Sequence, residues 1–207
     1  MSTSNARSAD ARPSVRHEQR LLTRQRILQA ARDTFVVNGY TSTTIGEIVK
    51  RAGIYRATFY QHFDSKLDVF VVLLDEVASD SVPRWRELDS VLCSNSKSAL
   101  RKFIAQSVAL WQSHATLLPA IKQAYVTEQV LVGKVDAAMA VMSGELVNYF
   151  GKFSKPERRK AELRVRLMVL QLDELYYRQV AQQQPIASEG LLLDVVVDLW
   201  WNALKLP

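Results

Sequence analysis

The stretch Thr43–Phe70, TTIGEIVKRAGIYRATFYQHFDSKLDVF, decides the fold. Thr44 and Glu47 have the spacing of a capping box, in which each side chain bonds the free backbone N–H of the other. Ile45, Ile48, Val49 and Ala52 form an apolar stripe behind that start. Ala52-Gly53 stops the helix, since glycine just past a helix end takes a left-handed cap at little cost. Ile54 reads as a buried plug in a tight turn, and a second short helix runs from Tyr55 or Arg56 to about Phe63. Two short helices joined in this way make a helix-turn-helix. Phe59 and Phe63, four apart, face inward. Tyr55, Arg56, Thr58, Tyr60, Gln61 and His62 then point outward or flank the seam. Short-reaching donors and acceptors of this kind suit base edges and phosphates in a major groove. The alternative is the polar face of an ordinary short helix.

The charge map bears on that choice. The 207-residue chain has a net charge of +6. Residues 1–66 hold 11 Lys and Arg against 5 Asp and Glu, which is the whole excess; the other 141 residues carry 16 of each. A basic third beside a neutral remainder is the electrostatic footprint of a nucleic-acid module on a neutral body. Without a partner it would be a solvated basic surface.

Working outward, residues 1–17 are rich in Ser, Ala and Arg and form a basic arm expected to be disordered, because it has too little apolar surface to offset ordering. A basic arm touching DNA and an Arg-rich transit peptide share this composition. A helix is predicted over 18–37, with Asn38-Gly39 as its stop. Residues 18–64 make the helix-turn-helix DNA-binding domain and 65–207 a larger body. Ser65 and Asp68 cap a fourth helix, with Leu67, Phe70, Val71, Leu74 and Val77 inward and Pro83 ending or kinking it. Further helices are predicted at about 97–113, 117–125, 127–150, 156–182 and 188–204, with Ser154 and Glu157 as another capping box. No alternating segment of useful length occurs. The expectation is an all-α protein of about nine helices.

At this point a resemblance becomes specific. Thr44-Ile-x-Glu-Ile, Ala52-Gly53-Ile54, Thr58-Phe59-Tyr60-x-His62-Phe63 and Ser65-Lys66 resemble the DNA-binding signature of the tetracycline-repressor family over about residues 24–75. The resemblance implies an all-α homodimer with a three-helix DNA-binding domain and a larger ligand-binding and dimerisation domain. It implies phosphate contacts by Thr44, Lys66, Tyr60 and His62, and groove contacts by Arg56 and Thr58; Thr43 and Gln61 complete the candidate DNA-binding set. Tyr55 and Ala57 depart from the family pattern, and a bulky Tyr55 can itself reach DNA. In the body, Leu110 to His114, Leu170 to Tyr177 and Leu199-Trp200 look similar to the mycobacterial ethionamide-monooxygenase repressor subgroup.

Phe103, Ser107 and Trp111 share one helical face. Met139, Met142 and Tyr149 lie on a second helix, and Met168, Leu172, Asp173 and Tyr176, with Trp200 on the last, complete a candidate set. These residues either pack a plain core or line a mostly apolar cavity with few polar anchors. Asp173 is either solvated at a rim or an anchor inside. The last helix, LLLDVVVDLWWNALKL, is apolar almost all round and needs a second surface. Helices 156–182 and 188–204 are therefore expected to form a homodimer interface, with Val196 and Trp201 among its outward positions.

Other classes fit poorly. No Glu-x-x-His pair, Gly-rich phosphate loop or nucleophile motif occurs, and the three histidines are scattered, so neither an enzyme, a cofactor nor a metal is expected. The single Cys93 argues against a disulfide framework. No apolar run suits a membrane span, and a cytoplasmic location is expected. The partners expected are double-stranded operator DNA, a second copy of the chain, and a small hydrophobic effector.

Overall fold

A computed structural model describes the backbone of residues 15–114 and 116–206, with the side chains of these except 108–114 and 180. Every element among the described residues is helical. They are α1 (Val15–Ser42), α2 (Ile45–Ala52), α3 (Arg56–Tyr60), α4 (Lys66–Cys93) and α5 (Lys97–His114), followed by α6 (Leu118–Thr127), α7 (Gln129–Ser143), α8 (Val147–Phe150), α9 (Lys155–Tyr176) and α10 (Glu189–Leu204). A π-helical turn, Tyr177–Ala181, extends α9.

The expected arm, 1–17, falls mostly outside the described residues, and its last three are already the first turn of α1. Helical geometry in α1 breaks at Gly39, with φ 73° and ψ 173°, and a final turn follows to Ser42. Only glycine adopts that backbone readily. A Cβ at Gly39 would also lie 2.5 Å from the Gln123 side chain of α6.

Two cores divide the molecule. The first gathers Ile27, Ala31 and Phe35 of α1, Ile48 of α2, Phe59 and Phe63 around α3, Val69, Phe70 and Leu73 of α4, and Ile121 and Ala124 of α6. Phe35, Tyr40 and Phe70 pack as a ring cluster at its centre, with centroids 4.7–5.7 Å apart. The second core holds Trp85 and Leu88 of α4, Phe103 and Ile104 of α5, Tyr149 of α8, Val165 and Leu172 of α9, and Val196 and Trp200 of α10. The three N-terminal helices therefore do not close their own core. Parts of α4 and α6 complete it, and α4 runs on into the second.

That continuity corrects the expectation at Pro83. The helix passes through it without ending. Pro83 is exposed, so its ring and missing donor fall on the solvent side, where a long helix can bend slightly. Three other boundaries differ. The helix expected over 127–150 is broken at Gly144, because the buried Asp89 carboxylate accepts from the backbone N–H of Asn148 and Tyr149 and starts α8 afresh. The third helix ends at Tyr60 rather than Phe63. Its last carbonyls accept from three residues on, a tighter 3₁₀-type turn, and Arg24 donates to the His62 carbonyl at 3.2 Å. At Ser154 the box is half made. Its hydroxyl donates to Glu157 at 2.6 Å instead of accepting from the helix.

α10 docks on α5 through Arg101–Asp194 and Lys97–Asp198 pairs. Val196 is buried and Trp201 half-buried, which corrects the outward positions expected there. The exposed apolar residues are instead Leu191, Val195 and Leu199 of α10 and Leu163, Leu167 and Leu170 of α9. Both sets repeat at helical spacing, so each helix presents one uncovered apolar stripe. No helix of the described residues is long and apolar enough to cross a membrane.

Candidate nucleic-acid interface and effector cavity

The recognition element is held by local chemistry. The Thr44 hydroxyl accepts from Glu47 N–H at 3.3 Å, and the Glu47 carboxylate accepts from Thr44 N–H at 2.8 Å. The Thr44 N–H first, and then the Thr44 hydroxyl donating to the same carboxylate at 2.9 Å, hold the Glu47 carboxyl below its ordinary pKa. Gly53 sits at φ 63°, ψ 41°, a left-handed cap, and Arg26 ties the turn by donating to the Ala52 carbonyl at 2.7 Å. Phe59 and Phe63 turn inward to the first core. α3 then presents Tyr55 (85% exposed), Arg56, Tyr60 and Gln61 to solvent, with Thr58 and His62 half-buried at the seam.

Beside that seam lies a cleft lined by Thr58, Gln61 and His62 together with Arg16, Gln19, Arg20 and Thr23 of α1. The α1 residues were absent from the sequence-based set. Their signal was available: Arg16, Arg20 and Arg24 fall at i, i+4 and i+8, one stripe of a helix. Burial first, then Arg20 and Arg24, holds the His62 imidazole below its ordinary pKa.

One expected contact needs correction, and another residue of the set already has a partner within the fold. Thr43 is buried, and its hydroxyl donates to the Gly39 carbonyl at 2.6 Å, so it locks the α1–α2 turn and has no surface to offer. Lys66 donates from Nζ to the Tyr40 carbonyl at 2.8 Å and lies 4.4 Å from the Tyr40 ring centroid. Burial holds it below its ordinary pKa. Its first role is to cap the end of α1.

A cavity of about 450 Å³ lies in the body, walled by α4, α5, α6, α7, α9 and α10. Of the expected set it brings together Phe103, Ser107, Met139, Met142, Leu172, Asp173 and Trp200. Tyr149, Met168 and Tyr176 pack in or against the second core instead. The break at Gly144 carries Tyr149 to the end of α10, where its hydroxyl donates to the Leu204 carbonyl at 2.8 Å. Tyr176 turns to α5 and donates to the Ile104 carbonyl at 3.2 Å. The side chain of Trp111 lies outside the described residues. Asp173 is not a lone anchor, because Lys122 bonds it at 2.7 Å. The sequence-based set also missed the α4 wall, including Leu74, Ser81 and Arg84, and the α6 wall of Ile121, Lys122 and Tyr125. The periodicity of α4 through Leu74, Ser81 and Trp85 carried the first of these; ending that helix at Pro83 hid it.

α6 touches both regions. Ile121 and Tyr125 line the cavity. On the same helix, Gln123 accepts from the Thr41 N–H at 3.3 Å, and Glu128 just beyond accepts from the Tyr40 hydroxyl at 2.7 Å. Among the described residues no group of three His, Cys, Asp or Glu side chains could hold a metal ion.

Residues 27–73 match the family described as bacterial regulatory proteins of the tetR family. The chain is 24% identical over 188 residues to the HTH-type transcriptional activator FasR of Mycolicibacterium smegmatis, covering 89% of this chain and 84% of that protein. It is 31% identical to the HTH-type transcriptional regulator QacR of Staphylococcus aureus over only 36% of this chain and 39% of that one. Its fold matches the solved structure of Salmonella enterica GusR with a TM-score of 0.67 at 20% identity, over 90% and 97% of the two chains. The family match thus lies within the first third of the chain, and the two curated relatives named are an HTH-type transcriptional activator and an HTH-type transcriptional regulator.

Proposed function

We propose that this chain, with a tetR-type DNA-reading domain joined to a cavity-bearing helical body, is a ligand-responsive transcriptional regulator. It binds a pseudo-palindromic operator as a homodimer and is released by a small, largely apolar effector. The division into an arm (1–17), a DNA-binding domain (18–64) and a ligand-binding and dimerisation domain (65–207) is the functional one, although the cores interlock. A bacterial cytoplasm is its place of action. The subgroup likeness to the ethionamide-monooxygenase repressor belongs to this reading and rests on Trp111, Leu170 to Tyr177 and Trp200.

The observation that carries the proposal is the double engagement of α6. One face borders the cavity, and the same helix and its end grip α1 through Gln123 and Glu128. The outward side chains of α3, with Arg16 and Arg20, supply groove and phosphate contacts. The apolar stripes of α9 and α10 supply a two-fold interface. Two recognition helices must then meet half-sites roughly 34–36 Å apart. An effector that favours one setting of α6 shifts α1 and changes that separation, so both half-site contacts weaken together. Coupling of this kind is reciprocal: operator weakens effector binding by the same factor. The test is calorimetry of a candidate effector with and without its duplex. Weaker binding to the duplex-bound dimer supports the reading, and equal affinity in both titrations overturns that molecule as the effector.

The sign of regulation has a second reading, since the FasR relative is named an activator. A reporter behind the operator, with and without the chain, separates the two.

A further inference from the structure

The polar chemistry of the cavity is one-sided. Among the described residues, four side-chain atoms are buried without a hydrogen-bond partner: Arg84 Nε, Trp200 Nε1, Gln171 Oε1 and Gln179 Oε1. The two that belong to cavity-lining residues, Arg84 and Trp200, are both donors. Arg84 is clamped at the α4–α5 junction. Its Nη2 donates to the Phe103 carbonyl at 2.8 Å and to Ser107 Oγ at 2.6 Å, and its Nη1 bonds Glu87 at 2.5 Å. Its guanidinium lies 4.2 Å from the centroid of the Phe103 ring. The Nε side of the fork is left over.

The anionic groups along the cavity do not answer it. Asp75 and Asp80 are exposed, and Asp173 is held by Lys122. Guanidinium keeps its proton and presents a planar pair of donors that matches a carboxylate. We infer that the effector is an amphipathic monocarboxylate. Its apolar body fills the space among Leu74, Met139, Met142 and Leu172. Its carboxylate takes the Nε and Nη2 edge of Arg84, displacing the Ser107 hydroxyl, with Trp200 Nε1 as a further donor. An amine of the same length would place a cation against Arg84, and an alcohol would leave the guanidinium edge half used.

This rests on the ligand-responsive reading above and deepens it, so the experiment separates the two. Calorimetry of the full-length protein uses dodecanoate, dodecanol and dodecylamine as monomers, alongside their effect on binding of the selected duplex. Dodecanoate should bind roughly tenfold or more tighter than dodecanol, with dodecylamine weakest. Arg84→Met should bring the ratio of dodecanoate to dodecanol affinity close to one. Trp200→Phe, which keeps the ring and loses the N–H, should lower the same ratio. It carries the test alone if circular dichroism shows Arg84→Met unfolded. Equal or tighter binding of dodecanol, no binding of any of the three, or a ratio unmoved by these variants overturns the inference. Release of the duplex by dodecanol as readily as by dodecanoate leaves the regulator standing and sinks the carboxylate site. Preference for dodecanoate with unchanged duplex affinity upholds the site and sinks the regulatory reading.

Discussion

Single residues fix the geometry of the DNA-reading domain, and two glycines show how differently they can do it. Gly39 combines a backbone that only glycine tolerates with a Cβ direction filled by Gln123 at 2.5 Å. Gly53 has the milder left-handed backbone, and its nearest neighbour in that direction, Nη2 of Arg26, lies at an ordinary contact distance of 3.4 Å. Gly39→Ala should therefore cost about 2–3 kcal/mol of stability and Gly53→Ala about 1 kcal/mol. Chemical denaturation of the two variants checks the order. Arg56 is exposed on α3 with its guanidinium 6.0 Å from the Tyr60 ring centroid, free to reach a base edge. Arg56→Ala should cost roughly 1–3 kcal/mol in operator binding and relax preference at one base position. Competition between singly substituted duplexes checks it; a uniform loss across all of them would make Arg56 a phosphate contact. Thr44, Glu47, Gly53 and Phe59 were legible in the sequence because each acts within one turn of itself. The capping role of Lys66 was not, since its partner Tyr40 lies on α1, 26 positions earlier, and only the packed fold brings the two near.

At the scale of elements, helix starts could be read and several stops could not. Ser65 announces α4, but nothing local says that Pro83 will be carried on the solvent side. The break before α8 is made by Asp89, some sixty positions earlier in the chain, and sequence spacing carries no trace of it. The α10 stripe was legible as an excess of apolar residues, while the outward positions depended on how α10 seats on α5. Leu167→Glu with Val195→Glu should give monomers in light scattering without loss of helix, because both side chains lie on exposed faces. A dimer persisting at micromolar concentration would move the interface elsewhere. The α6–α1 link makes a separate prediction. Tyr40→Phe removes the hydroxyl that Glu128 accepts and keeps the ring cluster with Phe35 and Phe70. Effector affinity should stay within about twofold, while the effector-driven loss of DNA affinity shrinks by about 1 kcal/mol, the worth of one such bond. If both quantities fell together, Tyr40 would be acting on folding rather than on coupling.

For the whole molecule, the division of charge is the fact that sequence and structure share most directly. The excess of +6 sits in the first 66 residues; the fold places Arg16 and Arg20 beside Thr58, Gln61 and His62, and Arg56 is exposed on the same short helix as Thr58. The body is neutral; most of its ion pairs are on the surface, while Arg84 and the Lys122–Asp173 pair border the cavity. One element, α6, belongs to both halves, and under the proposed function it is the route by which an event in one is felt in the other. Under the proposed function the basic face reads a two-fold DNA sequence, and selection of bound duplexes from a random pool by the full-length protein tests this. One inverted repeat should be enriched, its half-sites centred one helical turn or a small multiple apart. A pool that returns no enriched sequence after repeated rounds would contradict it.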